Sequence, residues 1–246
     1  MTTIESRTLG AVPVRVARPA GAASSAVVVL HQAPGWSPQV ADWLTRLGDA
    51  GHLAVAPLLL HHRGVESVDP GERFGGDLGA FAAFLPGDDL IASDVDEVLA
   101  FVRREGVDGR RTGVVGFSYG GRAAFLTAAR HELGAAVTFY GTGIQRPGYP
   151  GNEDLPALAD HIENLRTPWL GLYGETDFLL QPGELDEFET ALEQAPASTE
   201  VVRYPDAGHA FDIDIRFGPD APSSLVPAAA ADATSRAEAF LGHHLG

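Results

Sequence analysis

Residues 113–124, GVVGFSYGGRAA, run from an apolar, β-branched stretch through a glycine-rich turn into an alanine-rich stretch. The first part predicts the end of a buried strand, and the last part predicts the opening turns of a helix. Between them, residues 116–120 are Gly-Phe-Ser-Tyr-Gly, a match to the G-x-S-x-G pattern. Two interpretations of Ser118 are open: a nucleophile held up for attack, or a serine that caps the following helix.

The flanking glycines favour the nucleophile. A sharp strand-to-helix turn strains the backbone of its central residue, and glycines two positions before and after it remove Cβ atoms that would clash. A capping serine needs no such neighbours. The first N–H groups of the helix also place positive partial charge beside the serine, where an oxyanion would form.

A serine nucleophile needs a base to take its proton and an acid to orient that base. Asp177 comes three residues after the end of the apolar stretch WLGLYG, and His209 lies in a loop after the last predicted strand. The order Ser118, Asp177, His209 is that of α/β-hydrolases. These three residues are our predicted catalytic triad, with Glu175 and Asp206 as alternative acids.

The remaining histidines have competing interpretations. His31 is expected to bond to nearby backbone, although a direct chemical role stays open. The pair His61 and His62 suggests a metal site, but adjacent residues in an extended loop point apart and no zinc-binding spacing accompanies them. We therefore predict no metal and no cofactor. The carboxylates that follow His209, Asp212 and Asp214, are expected to be surface charges.

The second half of an oxyanion hole is expected after the strand at 26–31, in the sequence LHQAPGW. We assign the two donors to the backbone N–H groups of Ala33 and Tyr119.

Along the chain, short β-branched stretches alternate with stretches of helical spacing. This alternation predicts one α/β domain over residues 1–246, a mostly parallel sheet with helices on both faces. Strands are expected at 11–19, 25–32, 51–57, 111–118, 134–141, 167–174 and 198–205, and helices at 38–50, 88–106, 119–131, 184–195 and 224–241. Two longer connections, 58–87 and 141–166, are expected to cross the carboxyl edge of the sheet and to form pocket walls.

Composition excludes several functions. The formal charge is −16, the basic residues are all arginine, and there is no cysteine. Such a surface disfavours binding to nucleic acid or anionic membranes, and the chain can supply neither a Schiff-base lysine nor a thiolate nucleophile. The N-terminus lacks a signal-peptide core and no stretch is long enough to span a membrane. We therefore expect a soluble, cytoplasmic protein.

Taken together, VVVLHQAPGW, GHLAVAPLLL, VGFSYGG, LGLYGETD and YPDAGHAF resemble the dienelactone hydrolase family of α/β-hydrolases. The resemblance covers nearly the whole chain and implies a compact α/β-hydrolase fold with little or no cap. It also implies hydrolysis of small lactones or esters without metal. The family's nucleophile is typically cysteine, here Ser118, and its thiol-tuning glutamate is replaced by Gln32 or Ala33. The family's carboxylate-binding arginines have Arg73 and Arg216 as candidate counterparts.

The sequence therefore predicts a metal-independent serine hydrolase of a small ester or lactone that acts through an acyl-enzyme. Two alternatives stay open: an acyltransferase or lactone-forming cyclase with the same triad, and a non-catalytic binding protein on this scaffold. The oligomeric state, monomer or homodimer, is also open. Residues expected to line the substrate pocket are Gln32, Trp36, Phe74, Phe81, Tyr140, Phe178 and Phe211, together with the Tyr119 ring.

Overall fold

The computed structural model describes residues 2–149, 151–218 and 221–246. Its centre is an eight-stranded sheet in the order β1-β2-β4-β3-β5-β6-β7-β8. The first two strands pair antiparallel, as does β2 with β4, and the remaining pairs are parallel. The strands are β1 Ile4–Leu9, β2 Val12–Ala17, β3 Ala26–Leu30, β4 Leu53–Pro57, β5 Thr112–Phe117, β6 Ala135–Phe139, β7 Trp169–Gly174 and β8 Thr199–Tyr204.

Helices cover both faces of this sheet. They are α1 Pro38–Asp49, α2 Pro70–Phe74, α3 Leu78–Phe84, α4 Asp88–Arg104, α5 Tyr119–Arg130, α6 Glu184–Leu192 and α7 Pro227–Leu245. One core lies between the sheet and α1 and α7, and the other between the sheet and α4, α5 and α6. Along β3, Val27 and Val29 enter the first core while Val28 and Leu30 enter the second. A central strand buried on both faces reads as a continuous apolar run, as its sequence does.

The predicted α/β architecture is confirmed: each of the seven predicted strands and five predicted helices has a counterpart. The strand β1 was missed. Four of its six residues are exposed, and it pairs only with β2 at the edge of the sheet. An exposed edge strand carries little apolar alternation, so its sequence gives a weak strand signal.

The two long connections pack against each other. The first contains a 3₁₀ turn at Leu59–Arg63 followed by α2 and α3, and the second ends in a 3₁₀ turn at Ala159–Asn164. The Asn152 side chain donates to the carbonyls of Ala82 and Leu85, 2.7 and 3.1 Å away. The connections thus form a thin layer on the domain and not a separate cap.

Within the described residues, no helix has the length and apolar character that crossing a membrane requires.

Candidate active site

Ser118 sits on a strained turn between β5 and α5. Its φ of 54° and ψ of −115° lie in a region that residues with a Cβ rarely adopt. A Cβ on Gly116 would lie 2.0 Å from the Gly120 carbonyl oxygen, and one on Gly120 would lie 2.1 Å from the Leu30 carbonyl oxygen. Both flanking glycines are therefore required by backbone contacts, which confirms the predicted strand-turn-helix geometry.

Ser118, His209 and Asp177 form one hydrogen-bonded chain. The Ser118 Oγ lies 2.9 Å from the His209 Nε2, and the His209 Nδ1 lies 2.7 Å from the Asp177 Oδ2. Asp177 and His209 are each 5% exposed and Ser118 is 9% exposed. With Nδ1–H donating to the carboxylate, Nε2 is free to accept the serine proton, which is the arrangement a general base needs.

Sheet topology explains why these distant residues meet. Ser118, Asp177 and His209 follow β5, β7 and β8, which run parallel, so all three lie at the carboxyl edge of the sheet. The alternative acids Glu175 and Asp206 are both exposed, whereas the carboxylate of Asp177 is buried against the histidine.

Backbone strain is concentrated at this edge. Among the described residues, the non-glycine residues with positive φ are Ser118, Tyr140 and Ala210. Tyr140 follows β6 and its ring packs edge-on against His209 at 5.0 Å, while Ala210 is the residue after His209. Such strain costs on the order of 1–3 kcal/mol per residue and clusters at functional sites.

The expected oxyanion donors adjoin the serine turn. Gly120, in the first turn of α5, packs directly on the carbonyls of Leu30 and His31, so the loop that carries Ala33 adjoins the elbow. Tyr119 begins α5, and its N–H therefore has no acceptor within the helix. The Ser118 N–H is already used, because it donates to the Phe139 carbonyl at 2.9 Å. The donor roles of Ala33 and Tyr119 stay a prediction.

His31 is a buried structural histidine. Its Nδ1 lies 2.7 Å from the Gln32 carbonyl, and its Nε2 accepts from the Leu59 N–H at 2.9 Å. Burial lowers its pKa to about 4, so the ring is neutral at pH 7. The side chain ties the loop before Ala33 to the 3₁₀ turn after β4.

Asp212 is half-buried and hydrogen-bonded, and it is not the free surface charge that we expected. The Tyr140 hydroxyl donates to one of its carboxylate oxygens at 2.5 Å, and the Gln39 amide donates to the other at 2.5 Å. Burial raises the pKa of this carboxyl. Tyr140 in turn supports His209, so Asp212 belongs to the packing behind the base. Asp214, by contrast, is exposed.

Some of the expected pocket residues are too deep to touch a substrate. Tyr140, Phe211 and the Tyr119 ring have no accessible surface. Tyr140 and Phe211 pack behind His209, and the Tyr119 hydroxyl donates to the Pro86 carbonyl. Their assignment as pocket lining is wrong for this conformation, because apolar side chains near a site are as readily core as wall.

Phe178 is the expected pocket residue that meets the triad at the surface. It is 55% exposed with its ring 6.1 Å from that of His209. Phe217, which the sequence reasoning missed, is 47% exposed and lies 5.8 Å from His209 and 4.9 Å from Phe178. These two rings form an exposed apolar wall beside the base. Phe217 lies thirteen residues beyond the end of β8 at Tyr204, so no local pattern indicates its place.

For most of the other expected pocket residues the structure gives contacts with side chains outside the triad, and the place of each in the pocket stays a prediction. Phe74 and Phe81 stack on each other, and Phe74 also contacts Phe84. Trp36 lies under the Arg15 guanidinium at 5.5 Å. Gln32 lies on the expected oxyanion loop, and within the described chain its Oε1 is buried without a hydrogen-bond partner.

The two candidate carboxylate-binding arginines contact other groups in the structure. Arg73 stacks on Phe84 at 4.6 Å, and the exposed Arg216 donates to the Ala221 carbonyl. Arg122 was missed. It is buried, pairs with Asp88 at 2.5 Å and donates to the carbonyls of Gly143 and Pro156, which fixes the second long connection to α5.

The expectation that His61 and His62 point apart is also wrong. The segment is a 3₁₀ turn and not an extended loop, and the Nε2 atoms of both rings lie 3.0 Å from the same oxygen of Asp94.

Comparisons with known proteins agree with this fold. A sequence model of the dienelactone hydrolase family matches residues 12–245. A Rhodococcus opacus protein named "Carboxymethylenebutenolidase" is 32% identical over 223 residues, which are 89% of this chain and 81% of the relative. A Salmonella typhimurium protein named "Putative carboxymethylenebutenolidase" is 34% identical over 216 residues, 84% of this chain and 75% of the relative.

Among solved structures, the crystal structure described as "Putative Dienelactone Hydrolase" from Klebsiella pneumoniae superposes with a TM-score of 0.83 at 29% identity. The superposition covers 98% of this chain and 99% of that one. The family match therefore extends over strands β2 to β8, the serine turn and both loops that carry Asp177 and His209. This chain belongs to the dienelactone hydrolase family, the hydrolases of ester and lactone bonds.

Proposed function

We propose that this protein hydrolyses a small, uncharged ester or lactone through an acyl-enzyme on Ser118. The observation that carries the proposal is the hydrogen-bonded chain from the Ser118 Oγ through His209 to Asp177. It supplies a nucleophile, a base at 2.9 Å and a buried carboxylate that holds the base in the required tautomer.

The reaction proceeds in two halves. The His209 Nε2 takes the Ser118 proton as the Oγ attacks the substrate carbonyl, and the resulting oxyanion is held by the N–H groups of Ala33 and Tyr119. His209 then gives the proton to the leaving alcohol oxygen, and the ester C–O bond breaks. Water repeats the sequence, with His209 as base, to release the acid and restore Ser118. No step as written uses a metal ion.

The surroundings of His209 favour an apolar, uncharged substrate. Phe178 and Phe217 present about half of their surface beside the base, and this wall suits an acyl or alcohol group without charge. The relatives are named for a carboxylate-bearing lactone, carboxymethylenebutenolide. Here Arg73 stacks on Phe84, and Arg216 donates to the Ala221 carbonyl. The chain also carries a formal charge of −16, so these features favour an uncharged substrate over one that bears a carboxylate.

Intact-mass spectrometry after fluorophosphonate treatment tests the nucleophile. We expect one adduct on the wild type, none on Ser118→Ala, and strongly slowed labelling of Asp177→Asn. Asp206→Asn is the matched control, because Asp206 is an exposed carboxylate three residues from the same histidine. An unlabelled but folded wild type would contradict the proposal and favour the binding-protein alternative.

Matched substrates then test the chemistry. We expect kcat/KM for a neutral butyrate ester to exceed that for the corresponding succinate half-ester, whose carboxylate meets the negative surface. Added alcohol should not divert the acyl group, because the exposed wall beside His209 leaves the site open to water. A product that carries the alcohol in place of free acid would instead favour the acyltransferase alternative.

A further inference from the structure

Three side chains of the types that bind metal ions converge where the 3₁₀ turn after β4 meets α4. The 3₁₀ turn Leu59–Arg63 presents His61 and His62, and α4 presents Asp94. Both Nε2 atoms lie 3.0 Å from the Asp94 Oδ2, and the three ligand atoms lie within 4.8 Å of one another. The two rings stack with centroids 3.9 Å apart at 39°. Two adjacent residues thus aim the same ring atom at one carboxylate oxygen.

Asp94 needs a compensating charge. Its side chain is 4% exposed, and a buried carboxylate is costly without an opposite charge beside it. One divalent cation between the three ligand atoms would supply that charge, and both imidazole rings already direct Nε2 at the carboxylate oxygen it would share.

The donor set and spacing suit a first-row transition metal. Two imidazole nitrogens and one carboxylate oxygen are ligands that Zn²⁺ takes at about 2.0–2.2 Å. A tetrahedral ion at those distances separates its ligands by roughly 3.3 Å, so the 3.0 Å contacts need to open by only a few tenths of an ångström. The histidine side chains are 19% and 21% exposed, which lets water fill a fourth position.

We propose that His61, His62 and Asp94 bind one divalent first-row transition-metal ion, with Zn²⁺ as the reference ion. The ion ties the 3₁₀ turn to α4. The turn begins at Leu59, whose N–H donates to the His31 ring and so ties the turn to the loop before Ala33. The ion would stabilise the turn that this loop packs on, and it takes no part in the reaction at Ser118.

Isothermal titration of the full chain with ZnCl₂, and visible absorption with Co²⁺, test this site. We expect one strong Zn²⁺ site per chain and a Co²⁺ spectrum of low coordination number. His62→Gln should lower the Zn²⁺ affinity by roughly 100-fold or more. Loss of a residue that only hydrogen-bonds to a metal ligand already lowers metal affinity 10–100-fold. At a Zn²⁺ concentration about 100 times the Kd, the wild-type Tm should rise by roughly 5–10 °C, and that of His62→Gln should not.

Two controls keep the result interpretable. His243→Gln removes one of an adjacent pair on α7, His243 and His244, and should leave binding unchanged. Asp94→Asn should abolish binding, and circular dichroism establishes that it and His62→Gln are folded. The proposal is overturned if the wild type binds no ion, or if the strong site survives His62→Gln.

Discussion

A methyl group added at Gly120 is expected to break the active-site elbow. In Gly120→Ala, the new Cβ would lie 2.1 Å from the Leu30 carbonyl oxygen and 2.5 Å from the His31 carbonyl oxygen. Both contacts are to backbone, which has no flexible end to swing aside. Separations below 3.0 Å are essentially never seen for a real Cβ, so β3 and α5 must move apart by at least ~0.9 Å.

The size of that movement sets the expected effects. Overpacking a rigid interior costs about 1–3 kcal/mol, and the two backbone contacts place this variant in the upper half of that range. For a chain of this length, about 2–3 kcal/mol lowers the Tm by roughly 4–12 °C. Displacing Ser118 by about an ångström from His209 should also slow acylation by ~10²-fold.

Differential scanning fluorimetry and the rate of fluorophosphonate labelling measure both effects. Gly242→Ala is the matched control: Gly242 lies in α7, a Cβ there meets nothing within 4 Å, and helix propensity predicts a gain of up to ~1 kcal/mol. The reasoning is refuted if Gly120→Ala keeps the wild-type Tm and its labelling rate stays within about threefold of that of the wild type. The close approach of Gly120 to the Leu30 carbonyl would then not position Ser118.

Three further predictions concern strain, charge and support. Ser118→Gly should be about 1 kcal/mol more stable than Ser118→Ala, a Tm difference of ~2–4 °C, because only glycine relieves the φ of 54°; equal Tm values would contradict this. Burial lowers the pKa of His31 to about 4, so the unfolded chain binds more protons between pH 4 and ~6.5. Wild-type stability should therefore fall by about 3 kcal/mol as the pH drops through that range, whereas urea unfolding of His31→Gln should lack this loss. Asp212→Asn should keep kcat/KM within about tenfold, because the Gln39 Oε1, which has no hydrogen-bond partner among the described residues, can accept from the new amide. Asp177→Asn should instead lose ~10⁴-fold in ester turnover.

The fold was predictable because each central strand carries its own signal. Stretches such as AVVVL at 26–30 are buried on both faces and are continuously apolar for that reason. The strand β1 and the helices of the 58–87 connection lack this signal, since β1 is largely exposed and α2 buries no residue. Local periodicity reports burial, and these elements have little of it.

The meeting of Ser118, His209 and Asp177 was predictable because topology brings strand ends together. Once the strands are parallel and ordered, Ser118, Asp177 and His209 can only meet at the carboxyl edge. The depth of a side chain is a different question. Whether Tyr140 faces the substrate or the core depends on what packs behind its ring. Its hydroxyl donates to Asp212, which is 72 residues away in sequence. No spacing rule carries that information.

The same limit applies to the histidine pair. The sequence argument that neighbouring rings diverge assumes an extended backbone, and the conclusion reverses when the segment turns into a 3₁₀ helix after β4. A hydrogen bond from the Leu59 N–H to the ring of His31, which follows β3, fixes the start of that turn. The geometry of His61 and His62 is thus decided by a strand neighbour and by Asp94 on α4, and a prediction made from adjacent residues alone omits both partners.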